Sequence, residues 1–353
     1  MFDPSRFALP FLHLLEPEDA HELALCALET NLVPSRARDD DPILATTLFG
    51  RRLPNPIGLA AGFDKNGRVY DRMAKHGFGF VEIGGVTPRP QRGNPRPRVF
   101  RLPEDEAVIN RMGFPNDGAD AVERRMRAKG HPPIAFGVNL ASNADSDDPA
   151  TDFVELVRRF GEHADFLTLD VSCPNTANGQ VFLDPARLAE LLERVDQIEW
   201  NVRPPALAAK LSPDVDDALL ERLVETLVQA RIDAIVVSNT TRARPAGLRG
   251  TRAGEAGGLS GAPLFAMAHA MVERVVALTA GAVPVIAVGG IASGADAYAM
   301  LRAGASAVQL YTGLIYRGLT LVETIKRELA GLLRRDGVSS LAQLHVGAQN
   351  RPA

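Results

Sequence analysis

The residues with the most chemistry in them fall in one stretch, Phe166 to Gly179, reading FLTLDVSCPNTANG. It opens as an apolar, β-rich run and ends in small polar residues and a proline. A buried parallel strand that delivers reactive groups at its C-terminal mouth reads this way. Cys173 is the one plausible nucleophile or base at that mouth, set among Asp170, Asn175 and Thr176. A thiol of ordinary pKa, about 8.5, is a few per cent thiolate at neutral pH, which makes it a competent proton-abstracting base. A small buried thiol filling a gap is the competing reading, and the stretch alone leaves both open.

Other residues suit the same kind of site. Lys65 and Lys210 read as the ends of two inward strands, where a lysine is costly unless it meets an anion such as a reduced flavin or a substrate carboxylate. Asn110, Asn139, Asn175 and Asn239 each offer a donor and an acceptor, as gripping a small imide-like ring requires. One asparagine is usually a turn residue; four together suggest a binding set. Gly289-Gly290 before a helix, with Tyr311-Thr312-Gly313 on the next strand, occupy the corner where barrels hold phosphate. Gly257 to Gly261 (GGLSG) reads as a further loop of that cradle, and it lacks the context of a dinucleotide fingerprint.

These residues need elements to position them. From residue 46 onward, short apolar runs alternate with amphipathic helical segments. The strand candidates are Ile57–Ala61, Phe80–Ile83, Ile134–Leu140, Phe166–Val171, Ala206–Leu211, Ala234–Ser238, Val285–Val288 and Ala307–Leu310. Helical segments include Leu188–Val195, Ala218–Ala230, Phe265–Leu278 and Ala295–Ala303. Eight strands with helical crossovers in about 280 residues is the rhythm of a (β/α)8 TIM barrel, and a doubly wound sheet rarely has so many regular units. Because all eight strand ends of a barrel open on one side, the polar residues that follow them converge.

Ahead of the barrel, residues 1–40 read as a small two-helix extension split near Glu16-Pro17. Phe7, Phe11, Leu14 and Leu15 share one face of the first helix, and Leu23, Ala24, Ala27 and Leu28 one face of the second. Such a pair buries its stripe against the body, a lipid surface or an apolar ligand. Residues 31–45 read as linker, 41–340 as the barrel and 341–353 as a tail. The 353 residues are 46% hydrophobic with net charge −4, which gives no electrostatic reason to expect nucleic acid. Cys26 and Cys173 form neither a disulfide framework nor a metal pattern, in keeping with a reducing, intracellular compartment. No apolar run reaches the length of a spanning helix.

Taken together, these motifs resemble the dihydroorotate dehydrogenases of the membrane-associated, quinone-using class. The resemblance runs from the N-terminal helices to the region of Arg335. It rests on AHE (20–22), GLAAGFDK (58–65), EIGGVTP (82–88), PRVFRL (97–102), INRMGF (109–114), SCPNT (172–176), SNTT (238–241), GGLSG (257–261) and Gly289-Gly290. It implies FMN lying across Ala60, Ala61, Gly62, Asn139, Asp170, Lys210, Ser238, Gly261, Gly290, Tyr311 and Thr312. Dihydroorotate would be held by Lys65, Asn110, Asn175, Asn239 and Thr240, with Phe114 packed nearby. Cys173 would take the C5 proton while hydride leaves C6 for the flavin, within de novo pyrimidine synthesis. A quinone would enter between the N-terminal helices near His21, Arg101 and Tyr311. The resemblance further implies a monomer on the cytoplasmic side of the cell membrane, bound peripherally, with no metal.

Five positions depart from that class. Cys173 replaces its serine, Asp170 its asparagine, Gly85 its hydroxyl residue, and Ala141-Ser142 its Gly-Lys. Residues 178–182 read as the lid. A related FMN enzyme for another small ring, or a flavin-binding barrel without catalysis, are the alternatives these departures leave.

Overall fold

The computed structural model describes residues 4–35, 39–173, 175 and 179–344. Helices α1 (Pro4–Leu14) and α2 (Pro17–Glu29) come first, broken at Glu16-Pro17 as the sequence suggests. A short antiparallel hairpin follows, β1 (Thr46–Leu48) and β2 (Arg51–Leu53). The remaining strands are β3 (Ile57–Leu59), β4 (Phe80–Val86), β5 (Val99–Leu102), β6 (Ala107–Asn110), β7 (Ala135–Leu140), β8 (Phe166–Asp170), β9 (Ala206–Leu211), β10 (Ala234–Val237), β11 (Gly258–Gly261), β12 (Val285–Val288) and β13 (Ala307–Leu310). Eight of them close a parallel barrel in the order β3-β4-β7-β8-β9-β10-β12-β13. These eight are the runs expected from the sequence, with ends shifted by at most three residues. They were legible because strands buried on both faces carry unbroken apolar runs.

The other helices are α3 (Tyr70–Met73), α4 (Ala119–Lys129), α5 (Pro149–Phe160), α6 (Pro185–Asp196), α7 (Asp217–Gln229), α8 (Phe265–Leu278), α9 (Gly294–Arg302), α10 (Thr312–Arg317) and α11 (Leu321–Arg335). Their starts are written in the sequence. Asp148, Asp184, Asp216 and Ser293 cap α5, α6, α7 and α9 by accepting from backbone N–H groups of the first turn, which satisfies donors the helix itself leaves open. Pro149 and Pro185 occupy first-turn positions where no N–H is needed.

One end of the barrel is closed. The rings of Phe80 and Phe166 fill the interior so tightly that a Cβ at Gly58 or Gly137 would stand 2.2 Å from them. Phe49, at the tip of the β1-β2 hairpin, stacks on Phe166 at 4.8 Å between centroids. Leu48 and Leu53 complete this floor. Ligands therefore have only the opposite end, where the polar strand termini lie.

The structure corrects several expectations. Gly258–Gly261 is not a loop but a strand, paired antiparallel with β6, which pairs in turn with β5. Asn110 ends β6 of this side sheet, so it reaches the site from outside the barrel. Lys65 lies six residues beyond β3, not at a strand end. On α2 the buried residues are Ala20, Leu25 and Leu28, whereas Leu23 is exposed. Phe11, Leu14 and Leu15 are exposed as well. Residues 31–45 contain a 3-10 turn, Pro42–Leu44, with Leu44 buried. In the expected lid, Asn178 lies outside the described residues, as do Pro174, Thr176 and Ala177. Phe182 is buried edge-on against Phe153, so that part is anchored.

Candidate active site

One cavity of about 710 Å³ opens at the polar end of the barrel and continues under α1 and α2. Every residue to which the resemblance gives a role lines it. Ala60, Ala61, Gly62 and Lys65 come from the β3 turn, Asn139 from β7, Asp170, Cys173 and Asn175 from the end of β8, and Lys210 from β9. Ser238, Asn239 and Thr240 follow β10; Gly261, Gly290, Tyr311 and Thr312 close the far side; Asn110 and Phe114 overhang from the side sheet. His21 and Arg101 line the stretch beneath the helices.

Cys173 is buried, at 7% exposure, yet borders the cavity. Asp170 is in register with Lys210 on the neighbouring strand. Asn239 donates through Nδ2 to Asp170 Oδ1 at 3.0 Å, while its own Oδ1 accepts from the Thr240 N–H at 2.8 Å. These two bonds fix the amide's orientation. Burial pushes the Asp170 carboxyl up, with Lys210 opposing. Lys65 donates to the Gly62 carbonyl at 2.6 Å, and burial brings it down to about 8 against the pull of Glu18 and Asp64. The Asn175 carbonyl accepts from Asn94 Nδ2 at 3.1 Å.

Two polar residues inside apolar strands escaped the sequence reading. Glu82 on β4 accepts from Asn139 Nδ2 at 3.4 Å and from Gln309 of β13. The other atoms of those amides, Asn139 Oδ1 and Gln309 Oε1, are buried with no partner among the described residues. Orphaned acceptors of this kind carry a cost unless a ligand satisfies them. Both residues line the cavity, so a flat ring bearing N–H groups fits there. The signal available in the sequence was a glutamate in Phe-Val-Glu-Ile and a glutamine in Ala-Val-Gln-Leu, each costly in a core without a partner.

Under the helices, His21 donates from Nε2 to the Phe63 carbonyl at 2.8 Å and lies 6.4 Å from the Tyr311 ring. Burial first, then Lys65, lower its pKa to about 3, so it is neutral. Arg101 donates to the Leu12 carbonyl at 3.1 Å and to that of Leu15. Further arginines bind α2 to the body. Arg68 pairs with Glu22 and Glu29 at 2.7 and 2.8 Å, and Arg98 with Glu18 at 2.8 Å.

The family model for dihydroorotate dehydrogenase matches residues 43–333. The chain belongs to the dihydroorotate dehydrogenase family. Dihydroorotate dehydrogenase (quinone) of Bradyrhizobium diazoefficiens is 49% identical over 97% of this chain and 94% of its own. That of Rhodospirillum rubrum is 46% identical over 99% and 96%. Among solved structures, DHODH from Eimeria tenella in complex with ferulenol superposes with a TM-score of 0.90, at 36% identity over 95% of this chain and 96% of that one.

The structure shows the setting of two of the places that the resemblance marks as unusual. A Cβ on Gly85 would meet the Phe114 ring at 2.8 Å and Asn139 Oδ1 at 3.1 Å. A hydroxyl residue at position 85 therefore has no room while Phe114 lies where it does. Ala141 and Ser142 are buried behind the mouth, Ala141 bonded to the Val86 carbonyl, and neither borders the cavity.

Proposed function

We propose that this chain oxidises (S)-dihydroorotate to orotate in pyrimidine biosynthesis, with FMN as resident cofactor and a quinone as electron acceptor. The observation that carries the reading is the continuity of one cavity from Leu9 and Leu12 of α1, past His21 and Tyr311, to Cys173. A ring substrate and a second, apolar reactant can then reach opposite parts of one site. Relatives named dihydroorotate dehydrogenase (quinone) over nearly the full chain support it.

FMN would be held by Ala60, Ala61, Gly62, Asn139, Asp170, Lys210 and Ser238 along its ring, with Gln309 as a further acceptor. Gly261, Gly290, Tyr311 and Thr312 would hold its phosphate; once bound, it supplies the hydride acceptor. Lys65 places a cation where the substrate carboxylate arrives. Asn110, Asn175, Asn239 and Thr240 orient the ring's polar edges, and Phe114 excludes water above them. Cys173 receives the C5 proton, for which it must first be a thiolate. Lys210 lies in the barrel mouth where negative charge builds up during the reaction. His21, Arg101 and Tyr311 form the quinone end; neutral His21 adds no charge to an apolar channel.

Among the described residues no helix is long and apolar enough to cross a membrane. Phe11, Leu14 and Leu23 are nevertheless exposed beside the cavity's outer end. We read the helix pair as a peripheral membrane contact on the cytoplasmic face and the protein as a monomer. Steady-state assays of the FMN-loaded protein with dihydroorotate, comparing a short-chain quinone with fumarate and nicotinamide acceptors, test the reading. Reduction of the quinone is expected; its failure refutes the proposal.

A further inference from the structure

Among the described residues, Asp170 is the only carboxyl that a barrel strand delivers to the cavity. Asn239 contacts it, Asn139 and Gln309 line the same cavity as amides, and its partner in register is Lys210. It is 8% exposed. Its Oδ1 accepts from Asn239, and the Ser172 backbone N–H also reaches the carboxyl. The charged groups facing it are Lys210 from β9, which favours the anion, and Glu82 from β4, which disfavours it. Among the described residues that line the cavity from the β7 and β10 sides, Asn139, Ser238, Asn239 and Thr240, none is charged. Cys173, Lys65, Asp64 and Tyr311 are further titratable groups lining the cavity at this end.

We infer that Asp170 is a specificity-determining residue that takes up a proton when an anionic ring ligand binds, so that the complex holds a carboxylic acid against the ring. This rests on the function proposed above. The donors to Asp170 and the Lys210 charge are already in place before binding. What binding adds is a second negative charge and the removal of water, and both disfavour the carboxylate. The two states also read different ligands. The carboxylate only accepts, and so selects a ring N–H. The acid keeps its acceptor for Asn239 and turns an O–H donor to the cavity, and so can grip a ring carbonyl. Because binding consumes a proton, affinity for the anion falls by up to about tenfold per pH unit between the free and bound titration points.

The test uses the FMN-loaded protein and orotate, titrated calorimetrically in two buffers of different ionisation heat at about pH 6. There Lys65, which titrates at about 8, is already charged, and an ordinary thiol is protonated. The expected result is net uptake approaching one proton per orotate in the wild type. In the isosteric Asp170→Asn protein, uptake is lost and affinity becomes flat with pH. Infrared difference spectra of wild-type protein carrying isotope-labelled aspartate supply a check independent of the variant: orotate should produce the carbonyl stretch of a neutral carboxyl. Equal proton counts in the two proteins, or no such band, overturn the inference while leaving the substrate assignment standing. Absence of orotate binding in both proteins overturns the assignment, and the inference with it.

Discussion

In the proposed reaction Cys173 would act as a base only as thiolate, whereas Lys65 would hold an anion only while charged, so the two residues would respond to pH in opposite directions. Burial lowers the Lys65 value, which leaves the charged form present below about 8 and lost above it. The rate of dihydroorotate-driven flavin reduction should therefore climb with pH as thiolate forms, while KM rises above pH 8. Stopped-flow measurements across that range check both limbs, and Lys65→Met should abolish the rise in KM by making it high throughout. Cys173→Ala should slow flavin reduction by about 10²- to 10⁴-fold, the usual contribution of a general base, with FMN retained. Loss of FMN instead would make the residue structural. The thiol was legible because reactive residues at strand ends stand out against apolar runs. The acceptors on Asn139 and Gln309 were not, since only the folded barrel shows which amide atoms are left without partners.

The eight barrel strands could be read from local pattern, but the side sheet could not. Gly-Gly-Leu-Ser-Gly carries turn chemistry, and its pairing with Ala107–Asn110 joins segments some 150 residues apart, a contact no periodicity reports. Asn110, which lines the cavity, was picked out from the sequence while its supporting element was missed. The helix pair was found, but which side turns inward was left open. Arg68 and Arg98 clamp α2 through Glu22, Glu29 and Glu18, and these polar ties, together with Ala20, Leu25 and Leu28, decide which side turns inward. Removing residues 1–40 should cost quinone turnover and lipid binding far more than FMN content or reduction of a soluble dye. Unchanged quinone turnover after truncation would refute the assignment of the channel to these helices.

At the scale of the molecule, support and chemistry occupy opposite ends of the barrel. Leu53 is 1% exposed in the floor beneath Phe80 and Phe166. Leu53→Ala should lower stability by about 2–5 kcal/mol, as truncating a packed core leucine does, measured by denaturant unfolding, with kcat unaltered below the melting temperature. The floor hairpin was illegible because three-residue strands such as Arg51–Leu53 are too short to show alternation.

The helix pair and the turn after it leave Phe11, Leu14, Leu23 and Leu32 between 52% and 84% exposed. Purified into plain aqueous buffer, such a protein will hide this rim in another copy of itself, giving clumps that grow with concentration and dissolve on adding a mild amphiphile. Subunit counts and inhibitor potencies taken without one will then report how crowded the tube is, so sedimentation runs at two dilutions, with and without bicelles, belong before any kinetic comparison.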